Sequence, residues 1–481
     1  MNAVISDQTL QNTHGSDIGS ELPDQSVQLS VPMGMDIQTK DGYQDQVQDQ
    51  VKVSLFDHML TAHDYDPVHQ SDSVNTSDNK QSGTLRIALV TETWPPEING
   101  VAHSVFQLAK GLQQNGHRLL LVRPAQSMHV DHSPAEAELL VRGFSIPRYP
   151  ALQFGAPSYF SIKEELKRYQ PDVVHIVTEG PLGVAALCAA RSLKIPVSSG
   201  FHSPFHEFST HFGLGLLLTP ILTYLRIFHN RTDMTCVPST KTLEQLKVVG
   251  IKDLAVVSRG VNIAQFNPGF RDLTLRQSWG VGEQTTVLMY VGRLSPEKNI
   301  DLVIAAYREL QAEQPLRAVQ LVLVGDGPDR KRLEKLAPDI IFAGMQTGDD
   351  LSRHYASADV FLFASQVETF GNVVIEAMAS GLPVLAFNDA AAGQYVEPSH
   401  SGWLSPLANE DAFKALAAQL PKQIQLQEMG ERARDRVQSM SWQQAVGQLE
   451  DVFHTIMARA VAHAESQHTS NIITKTEEAS S

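Results

Sequence analysis

The chain has 481 residues, 42% of them hydrophobic, which is too long for one ordinary core and apolar enough for globular packing, so two domains with extensions are expected. Its net charge is −15, and residues 1–80 alone hold 13 acidic residues against three lysines, a balance that leaves no general case for nucleic-acid binding. The two cysteines, Cys188 and Cys236, lie in apolar surroundings without CxxC spacing, which favours buried thiols over a disulfide or metal framework.

Residues 1–84 read as a disordered acidic leader, rich in Gln, Asp and Ser, without arginine and without a sustained apolar period, as in GYQDQVQDQV. The basic start and apolar centre of a signal peptide are missing from it, and no later run reads as a membrane span, so a cytoplasmic protein is expected. Order begins near Leu85. RIALVTE reads as a buried strand, TWPPEINGV as a loop, Val101–Gln114 as a helix and HRLLLVRP as the next strand. This βαβ alternation implies a parallel sheet with a crevice beyond the strand ends. Gly100 stands at that crevice, either as a plain turn residue or as a point where backbone approaches a ligand.

PDVVHIV and IPVSSGFHS read as further strands. His202 sits at the exit of the second, where functional groups collect, and this position favours function over a structural histidine. The run His202, His206, Glu207, His211 invites a zinc reading, which its spacing rejects: His206 and His211 are five apart, and Pro204 weakens a helix between His202 and His206. Phe212–Asp233 is a long apolar segment containing Pro220, Arg226 and Arg231. It reads as a core helix, with an apolar surface resting on an anionic membrane as the alternative.

After TCVPS, TKTLEQLKVVG and AVVSRGVNIAQFNP, the polar stretch Arg271–Glu283 marks the boundary between a first domain, 85–268, and a second, 269–441. A second βαβ series follows: VLMYVGRL, a helix over Ile300–Ala312, VQLVLVGDGP, a helix through Leu336, IIFAGM, a short helix ending near Ala358, and DVFLFAS. The fold class is therefore α/β, two Rossmann-like doubly wound domains facing one another, with the natural active site in the cleft. Arg293 can fork onto phosphate oxygens and Lys298 can add a point charge, or both are ordinary surface cations. Gly325-Asp326-Gly327-Pro328 reads as a turn signal.

Phe361–Phe387 reads as strand, loop, helix, stop and strand, the helix Asn372–Ser380 ending at Gly381 and Pro383. Its loop, Glu368-Thr369-Phe370-Gly371, brings free backbone N–H groups to a helix N-terminus, where an anion can sit. Glu376 lies four residues after Asn372 on the same helix face. Either the two glutamates receive sugar and ribose hydroxyls, or one favours the helix dipole and the other is merely exposed. After Trp442, a stripe of Val446, Leu449, Phe453, Ile456 and Ala460 predicts a helix over 442–464 packed on a domain surface, followed by a disordered tail, 465–481.

GRLSPEKN, VGDGP, IIFAG and ETFGNVVIEAMASGLPV occur in that order, and with them the chain resembles the retaining glycosyltransferases of the GT-B fold, family 4, from about Leu85 to Ile456. FHSPFHEFSTHFG, YLRIFHNRTD, VPS and SRGVNIAQFNP are similar to the branch that holds GDP-mannose-dependent α-mannosyltransferases, phosphatidylinositol mannosyltransferase-like enzymes and sulfoquinovosyl-diacylglycerol synthases. The resemblance implies that Arg293 and Lys298 grip the donor diphosphate and that Glu376 binds the ribose. It likewise implies that Glu368, with the backbone of Phe370, Gly371, Asn372 and Val373, meets the sugar and phosphates. His202 would lie near the sugar's reactive side, Gly100 near the diphosphate and Met345 against the base. The implied reaction moves a hexose, mannose from GDP-mannose, to a lipid or glycan hydroxyl with retention, at the inner face of the membrane. His202, Arg293, Lys298 and Glu368 are its catalytic set. The helix after Trp442 would cross back to the first domain. No cofactor is expected, and no metal, since the only DxD, Asp64-Tyr65-Asp66, falls in the leader. The alternatives are a non-catalytic nucleotide-sugar-binding protein, and a UDP-sugar-dependent transferase or epimerase of the same fold.

Overall fold

The structure is a computed structural model and describes residues 83–97, 99–126, 133–146, 149–202 and 218–478. Short apolar runs become strands buried on both faces, the pattern of parallel sheets covered by helices. The first seven-stranded sheet is built from β1 (Arg86–Val90), β2 (Arg118–Pro124) and β3 (Ala137–Val141), then, beyond an antiparallel hairpin of β4 (Gly143–Ile146) and β5 (Tyr149–Gly155), from β6 (Val173–Ile176), β7 (Val197–Gly200), β8 (Met234–Val237) and β9 (Leu254–Val256). Its order is β3-β2-β1-β6-β7-β8-β9, all parallel. The second contains β10 (Thr286–Val291), β11 (Val319–Val324), β12 (Ile341–Gly344), β13 (Val360–Phe363), β14 (Val384–Phe387) and β15 (Gly402–Ser405), in the order β12-β11-β10-β13-β14-β15. Strand order reverses between β1 and β6 and again between β10 and β13, giving each sheet a switch point where a crevice opens.

Helices α1 (Gly100–Gln114), α2 (Tyr159–Tyr169), α3 (Pro181–Ser192), α4 (Leu218–His229) and α5 (Thr240–Val248) belong to the first half. The second half carries α6 (Leu273–Ser278), α7 (Ile300–Glu313), α8 (Arg330–Leu336), α9 (Gly348–Ala356), α10 (Asn372–Ala379), α11 (Ala390–Tyr395), α12 (Glu410–Ala418) and α13 (Gln423–Val437), before the long α14 (Trp442–Glu478). Alternation along β1 divides the first half into two apolar layers. Ile87 and Leu89 face a cluster that includes α1 and α14, while Ala88 and Val90 face one that includes α2 and α3.

The chain changes cores between Val257, in the first, and Val261, in the second. It changes back between Met440 and Trp442. The two crossings lie side by side, with Val261 N donating to Met440 O at 2.9 Å. A Cβ on Gly260 would come within 2.3 Å of Trp442 N, so no side chain fits there. Helix α14 docks on α1: Val446 Cγ2 would meet a Cβ on Gly111 at 2.4 Å, and Glu450 accepts from Asn115 Nδ2 at 2.6 Å and pairs with His117 Nε2 at 2.9 Å. Helix α14 also runs past the expected stop at 464 to Glu478, because extending a formed helix adds one hydrogen bond for each residue fixed.

Within α4, Leu225 and Phe228 are buried, which is the core-helix arrangement for that part of the apolar segment, and Pro220 is tolerated in its first turn. Residues 203–217, with His206, Glu207, His211 and Phe212, lie outside the described residues, as does the leader with Asp64 and Asp66. No helix among the described residues is long and apolar enough to cross a membrane.

Candidate active site

The loop leaving β10 is shaped by the loop leaving β11. Gly325, at φ +133°, approaches so closely that a Cβ there would lie 1.9 Å from Gly292 O. Leu294 N donates to Asp326 O and Asp329 N to Leu294 O, each at 3.0 Å. Tyr290 Oη holds the Arg293 carbonyl at 3.0 Å. VGDGP is thus the support of the Arg293 loop, a role beyond that of a turn. Arg293 is half-buried and makes no ion pair among the described residues. Lys298 closes a 3-10 turn, Pro296–Lys298, and its Nζ lies 2.5 Å from Glu368 Oε1, with both side chains about four-fifths covered.

Glu368 lies midway along the loop between β13 and α10. Gly371 adopts φ +87°, a left-handed conformation suited to glycine, and no side chain caps α10. The first-turn amides of α10, from Asn372 and Val373, therefore keep the anion-holding capacity of a helix N-terminus. Phe370 is buried against Tyr395, and its carbonyl accepts from Ala391 N at 2.8 Å, which anchors the loop. Glu376 Oε2 accepts from Tyr355 Oη at 3.0 Å. Burial of the carboxyl raises it to about 7, against the tyrosine's opposing bond.

The first half meets this loop directly. Thr369 Oγ1 donates to the His202 carbonyl at 2.8 Å, and Asn372 Nδ2 donates to Ser104 Oγ at 3.1 Å. Ser104 in turn donates to Gly100 O at 2.7 Å, so Gly100 stands beside Asn372, where a Cβ would be 4.0 Å from Asn372 Nδ2. His202, Gly100, Lys298, Glu368 and the Phe370–Val373 turn are thereby joined in one contact network, with Arg293 on the loop that carries Lys298. Met345 directly follows the edge strand β12 and is 43% exposed.

Two features escaped the sequence reading. Arg259, buried, places Nη2 2.7 Å from His202 Nδ1; an arginine following an apolar strand in AVVSRGV was the available signal. Burial, then Arg259, His175 and His229, hold the His202 imidazole well below its ordinary value. Glu92, at the exit of β1, accepts from Leu182 N at 2.9 Å, and burial lifts its carboxyl to about 7. Among the described residues no three His, Cys, Asp or Glu side chains converge as metal ligands. The arrangement pairs two cations and a helix N-terminus, fit for a diphosphate, with carboxylates that accept from hydroxyls.

Comparison with known proteins gives the same outline. Residues 98–265 match the family described as Glycosyltransferase Family 4, and residues 272–436 that described as Glycosyl transferases group 1. A GDP-mannose-dependent alpha-mannosyltransferase of Mycobacterium tuberculosis is 32% identical over 391 residues, covering 79% of this chain and 99% of the relative. An alpha-monoglucosyldiacylglycerol synthase of Streptococcus pneumoniae is 31% identical over 317 residues, covering 63% and 71%. The crystal structure of Anabaena HepE in complex with UDP and glucose superposes with a TM-score of 0.62 at 18% identity, covering 77% of this chain and all of that one.

Proposed function

The chain belongs to the family 4 glycosyltransferases of the GT-B fold, and from that premise we propose that it transfers mannose from GDP-mannose to a hydroxyl of a lipid or glycan, with retention of anomeric configuration and without a metal. The observation that carries this reading is the Lys298–Glu368 pair at 2.5 Å, beside the uncapped N-terminus of α10 and on the loop that also carries Arg293, which has no ion pair among the described residues. As the bond from the anomeric carbon to the diphosphate breaks, negative charge grows on the leaving group and positive charge on the sugar. Arg293, Lys298 and the α10 amides stabilise the first. Glu368, released from Lys298 by the phosphates, turns to the sugar hydroxyls, while Glu376 receives those of the ribose. The acceptor oxygen attacks from the face the diphosphate leaves, its proton passes to the departing phosphate oxygen, and no side-chain nucleophile intervenes.

Mannose, GDP and the lipid or glycan acceptor rest on the mycobacterial relative and its branch. Glucosyl transfer to a glycerolipid is the second reading, supported by the pneumococcal relative. A lipid acceptor brings the enzyme to the inner face of the membrane. The test incubates the protein with GDP-mannose or UDP-glucose, with and without host lipid extract and EDTA, and follows nucleoside diphosphate release and product mass. GDP release with a mass gain of one hexosyl unit on the acceptor, an α-linkage by NMR and indifference to EDTA are expected. Release from UDP-glucose alone would select the second reading. Turnover without a mass gain on any acceptor would indicate epimerisation or hydrolysis instead.

A further inference from the structure

We propose that Arg259 is a positioning residue that fixes the His202 imidazole in one tautomer and orientation at the donor loop. This rests on the reading of His202 as a group beside the transferred sugar. Arg259 lies on the crossing between the two cores, after Val257 of the first and before Val261 of the second. It is only 6% exposed, yet it faces no carboxylate among the described residues, and its partner is the His202 ring, Nη2 to Nδ1 at 2.7 Å. Elsewhere in the molecule a buried arginine is treated differently. Arg276, equally enclosed, is bonded to Asp359 at 3.1 Å and to the carbonyls of Ser357, Gly282 and Thr285. Burying a cation without a counter-charge is costly, and Arg259 carries that cost against a neutral ring.

The chemistry of the contact sets the proton. A guanidinium only donates, so His202 Nδ1 accepts, the ring is neutral, and its single N–H is on Nε2. Among the described residues, the other titratable groups facing the ring are His175, bonded to Ser198 Oγ at 2.9 Å, and His229, bonded to Ser199 Oγ at 3.0 Å. Neither is an acid that would draw the proton back. At its other end His202 is held by Thr369 Oγ1 on its carbonyl. One residue from the crossing and one from the donor loop therefore fix ring and backbone together, and Nε2–H remains as the donor that His202 can offer a ligand.

Histidine-selective 15N NMR on the full chain tests this, with His202 assigned by its loss in His202→Gln. The wild-type ring is expected to show a protonated Nε2 and a bare Nδ1 that do not change across roughly pH 5–8. In Arg259→Met the ring should become a tautomer mixture, still neutral across that range because burial is the leading cause of its lowered value, and kcat should fall about tenfold or more with donor KM changed less than about threefold, the cost of a misplaced group. Arg259→Lys keeps one donor for Nδ1, so it should retain the wild-type tautomer and recover most of kcat. An unchanged His202 signature in Arg259→Met overturns the proposal. So does an Arg259→Lys enzyme that keeps the tautomer but turns over no faster than one lacking the cation, or one that loses the tautomer. The NMR arm uses no substrate, so its outcome is read independently of whether GDP-mannose proves to be the donor.

Discussion

At the switch point of the first sheet, the loop leaving β1 carries Glu92 and Glu97; at that of the second, the loop leaving β10 carries Arg293 and Lys298 with one acid, Glu297, which accepts from Ser295 Oγ at 2.6 Å. The topology around the two exits is the same and the net charge is opposite in sign. The acids of the first are satisfied from within: Glu92 by Leu182 N, and Glu97 by Thr93 Oγ1 at 2.5 Å and Gln126 Nε2 at 3.2 Å. Even the α1 N-terminus is occupied, since Asn99 Oδ1 accepts from Val101 N and Ala102 N. In the second half Arg293 has no ion pair among the described residues and α10 has no side-chain cap. A doubly wound sheet supplies a crevice; the loop chemistry decides which crevice takes an anion.

The largest break in that contrast should come from Lys298→Ala. It removes the proposed phosphate contact and takes from Glu368 its ion-pair partner, so kcat/KM for the nucleotide sugar should fall roughly 100- to 1,000-fold. Steady-state kinetics within about threefold of wild type would place the diphosphate elsewhere. Next is Gly325→Ala, which forces a side chain into φ +133° and against Gly292 O. A loss of roughly 3 kcal/mol in denaturant unfolding is expected, with a raised donor KM because the Arg293 loop shifts. An unaltered midpoint would mean that the two loops are not rigidly coupled.

The inner strands of both sheets, their exits and the loop before α10 were legible in the sequence because apolar runs, glycines and prolines act locally, while the edge strands β3 and β15 were not read. Gly371, Glu376 and Lys298 declare themselves within a dozen residues of their strands. Arg259 and Glu92 could not, since their meaning depends on His202, 57 residues away, and on Leu182, 90 residues away. The helix end at 478 was missed for a related reason: polar composition marks the loss of packing, while helix continuation needs only the preceding turn.

A smaller effect separates the carboxylates of the second half by pH. In the proposed role of Glu376 as acceptor for the ribose hydroxyls, the carboxylate is the better acceptor, and burial raises its pKa to about 7. Donor KM should therefore rise several-fold as pH falls from about 8 to 6. In Glu376→Gln this trend should vanish while KM is high throughout. A wild-type KM that is flat in pH would show that the ligand does not meet this carboxylate.

A last effect belongs to the first exit, and it is read in stability alone. Glu92 has a folded-state pKa of about 7, above its ordinary 4.5, with burial as the leading cause. Between those values the folded chain keeps a proton that the unfolded chain has released, so this group's contribution to stability declines as pH rises from about 4.5 to about 7 and is level above that. Glu92→Gln cannot ionise, yet its side-chain oxygen can still accept from Leu182 N. Relative to the variant, wild type should lose on the order of 2 kcal/mol between pH 5 and 8, a few degrees in Tm. Glu376 is unchanged in both proteins, so the difference isolates Glu92. If the two proteins share one pH profile, Glu92 ionises without penalty, the first exit holds a solvated carboxylate, and the contrast between a closed acidic exit and an open basic one fails on its acidic side.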